Sequence, residues 1–188
     1  TRWAVPGLLP QGMAMLAGAP KLGKSYLALA ICFDVGMGED VCDFFSTEES
    51  DCLYLALEDG EARLKHRSKE MLPESAWPER AYYETQWPRV GEGGREALEA
   101  WLGQHPDARL VVIDTFALFK PENVGGRKGD VYAEDYAAVR AVKEIADQFS
   151  VCVLVITHVN KGTHEDWVNT MTGSTGLSGA ADTLLNMA

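Results

Sequence analysis

Residues 18–25 read GAPKLGKS: two glycines bracket four residues, and a lysine and a serine follow at once. That spacing fits a loop whose backbone N–H groups turn into one hollow, since Gly18 and Gly23 admit conformations closed to other residues. Lys24 would set a compact positive charge against the β- and γ-phosphates of a nucleotide, and Ser25 would offer its hydroxyl to a magnesium ion. A helix starting here adds the partial positive charge of its N-terminus. The candidate phosphate site is therefore the run Gly18, Ala19, Pro20, Lys21, Leu22, Gly23, Lys24, Ser25 and Tyr26, with ATP and Mg2+ as its expected ligands.

The flanks carry the strand and helix that such a loop needs. Upstream, GMAMLAG (12–18) is a short apolar run after the turn-like LLPQG, as a buried strand should be. Downstream, KSYLALAICFDVGMG (24–38) has apolar residues at helical spacing and stop signals at Gly36 and Gly38. The alternation continues to the end of the chain. CLYLALE (52–58), AYYETQ (81–86), RLVVIDTF (109–116), VCVLVITH (151–158) and DTLLNMA (182–188) read as strands. DGEARLKHRSKEML (59–72), GGREALEAWLGQHP (93–106) and VYAEDYAAVRAVKEIADQFS (131–150) read as helices. Continuous apolar strands alternating with helices predict an α/β fold, a mainly parallel sheet with helices on both faces.

Composition bounds the possibilities. A chain of 188 residues holds one sizeable core, so a single domain over residues 1–188 is expected. With 46% hydrophobic and 24% charged residues it reads as a globular protein; no apolar run reaches membrane-spanning length and no leader opens the chain. No membrane partner is expected. Thr1 and the ending TLLNMA point to a piece of a longer chain. Cys32, Cys42, Cys52 and Cys152 show no C-x-x-C pairing, which disfavours zinc; three of them fall in apolar segments, where a buried thiol is expected, and a cytoplasmic setting follows. The net charge of −11 argues against binding nucleic acid through bulk electrostatics, but leaves room for a channel lined by a few cations.

In parallel α/β sheets ligands bind beyond the carboxyl ends of the strands, so the residues there matter most. The second strand ends in Glu58 and Asp59, the fourth in Asp114 and Thr115, the fifth in Thr157 and His158. Asp114, after LVVI, is placed to hold magnesium opposite Ser25, usually through a water. Glu58 is placed to polarise a water for in-line attack on the γ-phosphate, while Asp59 is expected to cap the next helix. His158 is a candidate to bond the γ-phosphate and report its loss. Two loops, KPENVGGRKGD (120–130) and VNKGTHEDWVNTMTGSTG (159–176), carry Lys120, Arg127, Lys128, Lys161, His164 and Trp167, types able to meet a single strand's phosphates and bases. Their acidic neighbours Glu122, Asp130, Glu165 and Asp166 weaken that reading, and solvated loops are the alternative. Trp77, Trp87 and Trp101 are expected to pack an outer helix.

GAPKLGKSYLALA, LYLALEDGEARLKHR, LVVIDTFALF, VLVITHVNKG and GSTGLSGAADTLLNM together resemble, in order and over nearly the whole chain, the RecA-like P-loop ATPases of the plasmid RepA helicase type, often labelled AAA-family ATPases. The resemblance implies a RecA-like core, a ring of usually six subunits with ATP sites at subunit boundaries, and movement along single-stranded DNA in replication or recombination. By position it implies phosphate and magnesium binding by Gly18 to Ser25 and water activation by Glu58. It likewise implies a Walker B role for Asp114, γ-phosphate sensing by His158, and the start of a DNA-facing loop at Lys161. The family also uses an arginine from a neighbouring subunit; no arginine follows Arg140 here, so that finger is expected outside this piece, or Lys161 stands in for it. The leading expectation is a helicase-like ATPase motor. A RecA/RadA-like recombination or repair ATPase and an ATP-switched regulatory protein remain as alternatives. A small-molecule kinase is disfavoured, because Arg127 and Lys128 alone make a poor phosphate lid.

Overall fold

A computed structural model describes residues 1–74, 76–122, 128–158 and 180–187. The chain opens on a small antiparallel hairpin, β1 (Trp3–Val5) and β2 (Leu9–Pro10), turning at Gly7. From the sequence, only a turn is expected in this stretch. Then follow β3 (Gly12–Gly18), α1 (Lys24–Met37), β4 (Cys52–Ala56), α2 (Glu61–Met71), β5 (Ala81–Glu84) and α3 (Gly94–Gln104). The remainder is β6 (Leu110–Asp114), a one-turn α4 (Phe116–Phe119), α5 (Lys128–Phe149), β7 (Cys152–His158) and β8 (Thr183–Met187).

Six strands form one sheet in the order β5-β4-β6-β7-β3-β8, and every neighbouring pair runs parallel. The expected α/β architecture is thus present. The phosphate-loop strand β3 is separated from β6, the strand of Asp114, by β7, the strand of His158. Side chains alternate between two cores, as the two-residue period of a strand requires. Ala14 and Leu16 of β3 pack with Leu29 and Phe33 of α1 and with Val5 and Leu9 of the hairpin. Met13, Met15 and Ala17 pack on the other face with Leu98 and Leu102 of α3 and Val139, Val142 and Ile145 of α5.

Boundaries follow local chemistry. Helix α1 runs through Gly36 and stops at Gly38, whose φ of 71° suits a left-handed C-cap. Strand β4 ends at Ala56, two residues before Glu58, because the chain there hangs on the next strand: the Leu57 N–H donates to the Asp114 carbonyl at 2.7 Å. Helix α2 buries only Leu64, consistent with an exposed amphipathic helix. Cys32, Cys52 and Cys152 are buried free thiols, whereas Cys42 is exposed. The tryptophans divide between the two faces. Trp77 packs edge-on to Phe33 of α1, with ring centroids 4.7 Å apart, while Trp87 and Trp101 pack on the α3/α5 side. Among the described residues no helix is long and apolar enough to cross a membrane.

Candidate nucleotide site

The loop between β3 and α1 uses its two glycines for different reasons. Gly23 has φ 92° with no atom within 4 Å of where a Cβ would stand, so its need is conformational. Gly18 is a matter of close approach: an added Cβ would lie 2.6 Å from the Met187 carbonyl of β8. Ala19, Pro20, Lys21 and Leu22 are exposed, and Lys21 itself adopts φ 69°. Lys24 is buried at the first turn of α1, and its Nζ donates to the carbonyls of Gly18 and Ala19 at 2.8 Å each. Burial pushes its ammonium below the usual lysine range, against the pull of the Asp114 and Glu58 charges. The Tyr26 side chain engages α2: its hydroxyl bonds the Glu70 carboxylate, and the Arg67 guanidinium sits 5.2 Å from its ring centroid.

Asp114 ends β6, buried, with Oδ2 accepting the Tyr54 hydroxyl at 2.6 Å. Its Oδ1 is buried and has no hydrogen-bond partner among the described residues. Burial pushes this carboxyl above the usual carboxylate range, against the hydroxyls of Tyr54 and Ser25. A buried carboxylate oxygen without a partner is costly unless something else engages it. Beside the Ser25 hydroxyl it fits a hard, oxygen-seeking cation. Magnesium suits such a site, because it takes one or two protein oxygens and completes its shell with water and phosphate. No cluster of three or more His, Cys, Asp or Glu able to hold a metal alone occurs among the described residues.

Glu58 stands just past β4, half exposed, its Oε1 accepting the Thr115 hydroxyl at 3.1 Å and lying 3.7 Å from Nε2 of His158. His158 closes β7 in register with Gly18 of β3, and its Nδ1 is buried without a partner among the described residues. Asp59 departs from expectation. The N-cap of α2 is Gly60, with no side-chain cap bond, and the Asp59 carboxylate is instead buried in a pairing with Arg63 at 3.0 Å and with Arg67. It is two arginines on one helical face, at i+4 and i+8, that claim it.

Lys24, Ser25, Glu58, Asp114 and His158 thus meet at the carboxyl edge of the sheet. Of the loop cations, Lys120 is committed to Asp135 at 2.8 Å. Arg127, Lys161, His164, Trp167 and the side chain of Lys128 lie outside the described residues. Sequence reasoning missed Tyr54, and it named Thr115 without giving it a role. The trace of Tyr54 in the sequence was a phenol inside an otherwise apolar run, CLYLA, where a buried hydroxyl must find an acceptor.

Among curated proteins none matches the sequence. Among solved structures, the ATPase domain of another protein superposes with a TM-score of 0.66 at 14% identity, covering 96% of this chain and 70% of that one. At that identity the likeness establishes the fold, a RecA-like P-loop core. Because 512 solved chains match, the fold by itself selects no substrate. The family is carried by sequence. Residues 1–164 match the family model described as the AAA domain, which covers most of the 188 residues and includes the phosphate loop, Glu58, Asp114 and His158. This chain belongs to the AAA domain family.

Proposed function

We propose that this chain binds ATP with Mg2+ and hydrolyses it as the motor domain of a replicative helicase-type ATPase acting on single-stranded DNA, with ring assembly in the complete protein. The observation that carries the reading is Oδ1 of Asp114, without a partner among the described residues and buried at the end of β6, where its carboxylate acts on Ser25 and Lys24 of the phosphate loop and α1. Lys24 exchanges its two carbonyl partners for β- and γ-phosphate oxygens, a stronger bond because the acceptor is anionic. The hydroxyl of Ser25 and the carboxylate of Asp114 are the groups that would hold the cation. When bound, Mg2+ supplies neutralisation of charge on the phosphates. Glu58, half exposed and steadied by Thr115, orients the attacking water and accepts its proton. His158, within 3.7 Å of Glu58, answers the presence of the γ-phosphate.

A nucleotide-driven switch without strand separation is the second reading, and the net charge of −11 favours it. ATP hydrolysis measured with and without single-stranded DNA, together with the mass in solution, separates the two. A ring-sized mass and DNA-stimulated turnover are expected; a monomer that binds ATP and ignores DNA would establish the switch. Lys24→Ala should weaken ATP binding by about 10- to 100-fold, the value of a charge-assisted bond to a buried site. Glu58→Gln should keep ATP bound and stop turnover, whereas Asp59→Asn should leave turnover in place. The reverse pattern would assign the water to the wrong carboxylate.

A further inference from the structure

We propose that Tyr54 is a positioning residue for the cation: its phenol pins Oδ2 of Asp114 and so leaves Oδ1 for the metal's water shell. The inference rests on the reading of the site as one for ATP with Mg2+. Tyr54 is fully buried in β4, two residues before Ala56, which pairs in register with Asp114 on β6. Residues two apart on a strand share a face, and for β4 that face packs under α1. The hydroxyl therefore arrives between the two elements that supply the oxygen ligands. It lies 2.6 Å from Oδ2 of Asp114 and 3.3 Å from the Ser25 carbonyl in the first turn of α1.

A phenol has one proton to give, and the shorter contact to the anion takes it. With Oδ2 so engaged, the carboxylate is held in one orientation, and the oxygen without a partner among the described residues is the other one. Packing alone does not call for this hydroxyl. Phenylalanine would fill the same space among the apolar side chains of that core and take from Oδ2 of Asp114 the hydroxyl that bonds it.

The test is ATP binding by the whole chain, titrated against Mg2+ and repeated in EDTA, for the wild type, Tyr54→Phe, Asp114→Asn and the double variant, with melting followed in parallel. Tyr54→Phe should raise the Mg2+ concentration for half-maximal ATP binding about 10-fold while leaving the affinity in EDTA unchanged. In the Asp114→Asn background it should add no further loss, because its effect runs through that carboxylate. The Mg2+-dependent rise in melting temperature at saturating ATP should shrink in Tyr54→Phe, a reading that holds even where the variant is less stable. An unchanged Mg2+ midpoint, an equal loss in EDTA, or full additivity with Asp114→Asn would each overturn the proposal. A wild type that binds ATP with Mg2+ and a Tyr54→Phe variant that matches it would overturn this inference alone; a wild type that binds no ATP would overturn the functional reading with it.

Discussion

Asp34 lies in the last turn of α1, where its carboxyl is pushed up to about 6, by burial first and then by the charges of Glu39 and Asp43. A negative charge at a helix C-terminus also opposes the helix dipole. The folded pKa stands above the ordinary value, so the folded state holds the proton that the unfolded chain has already lost. Stability from this residue is full below about pH 4 and falls as pH rises through about 6. Asp34→Asn should therefore stabilise the protein at pH 7.5 by about 1 kcal/mol, after discounting for a half-exposed group, and by almost nothing at about pH 4. Melting curves at the two pH values check it; equal gains at both would show that charge is not the cause. Legibility at this scale followed spacing. Lys24 and Ser25 were readable because a loop motif fixes their separation, and Asp114 and His158 because each ends an apolar run. Tyr54 was not, since its meaning depends on a neighbour 60 residues away. Nor was the true partner of Asp59, which competing arginines decide.

At the scale of elements, β8 is an edge strand whose parallel ladder to β3 is anchored at its start by the side chain of Asp182. Oδ2 of Asp182 accepts the Met13 N–H at 3.0 Å, its own N–H donates to the Met13 carbonyl at 2.8 Å, and Lys143 of α5 holds Oδ1 at 2.8 Å. Met13 is fully buried, so Asp182→Ala would strand its N–H. That substitution should cost about 1–3 kcal/mol. Asp182→Asn, which keeps an acceptor, should cost less, and hydrogen exchange should quicken in β8 before β3. The strands and helices of the main sheet were legible because long apolar runs and helical periods are local properties. Less visible were the β1–β2 hairpin, made of very short pieces, and α4, one turn hidden in what reads as the tail of a strand. Strand order was not legible either: a run of apolar residues carries no record of which neighbour it will meet.

Over the whole molecule, a charge of −11 limits how a nucleic acid can be held. Each phosphate neutralised on a single strand contributes a slope of about −0.7 in log affinity against log salt. With Lys120 already paired, the loop cations left to the proposed DNA contact are few, and the slope should be shallow, about −2. Titrations of an oligonucleotide across salt concentrations measure it; a slope several times steeper would mean that a basic surface elsewhere does the binding. The sheet sets another limit. One strand, β7, stands between the phosphate-loop strand and the strand of Asp114, and neighbouring strands lie roughly 4.8 Å apart, so the two are separated by about 10 Å. Side chains cross that spacing, so a ligand held by Lys24 and by a cation at Asp114 lies over the end of β7, where His158 stands. Such an edge addresses phosphates and is blind to the base, so any preference for adenine must be written in side chains beyond it.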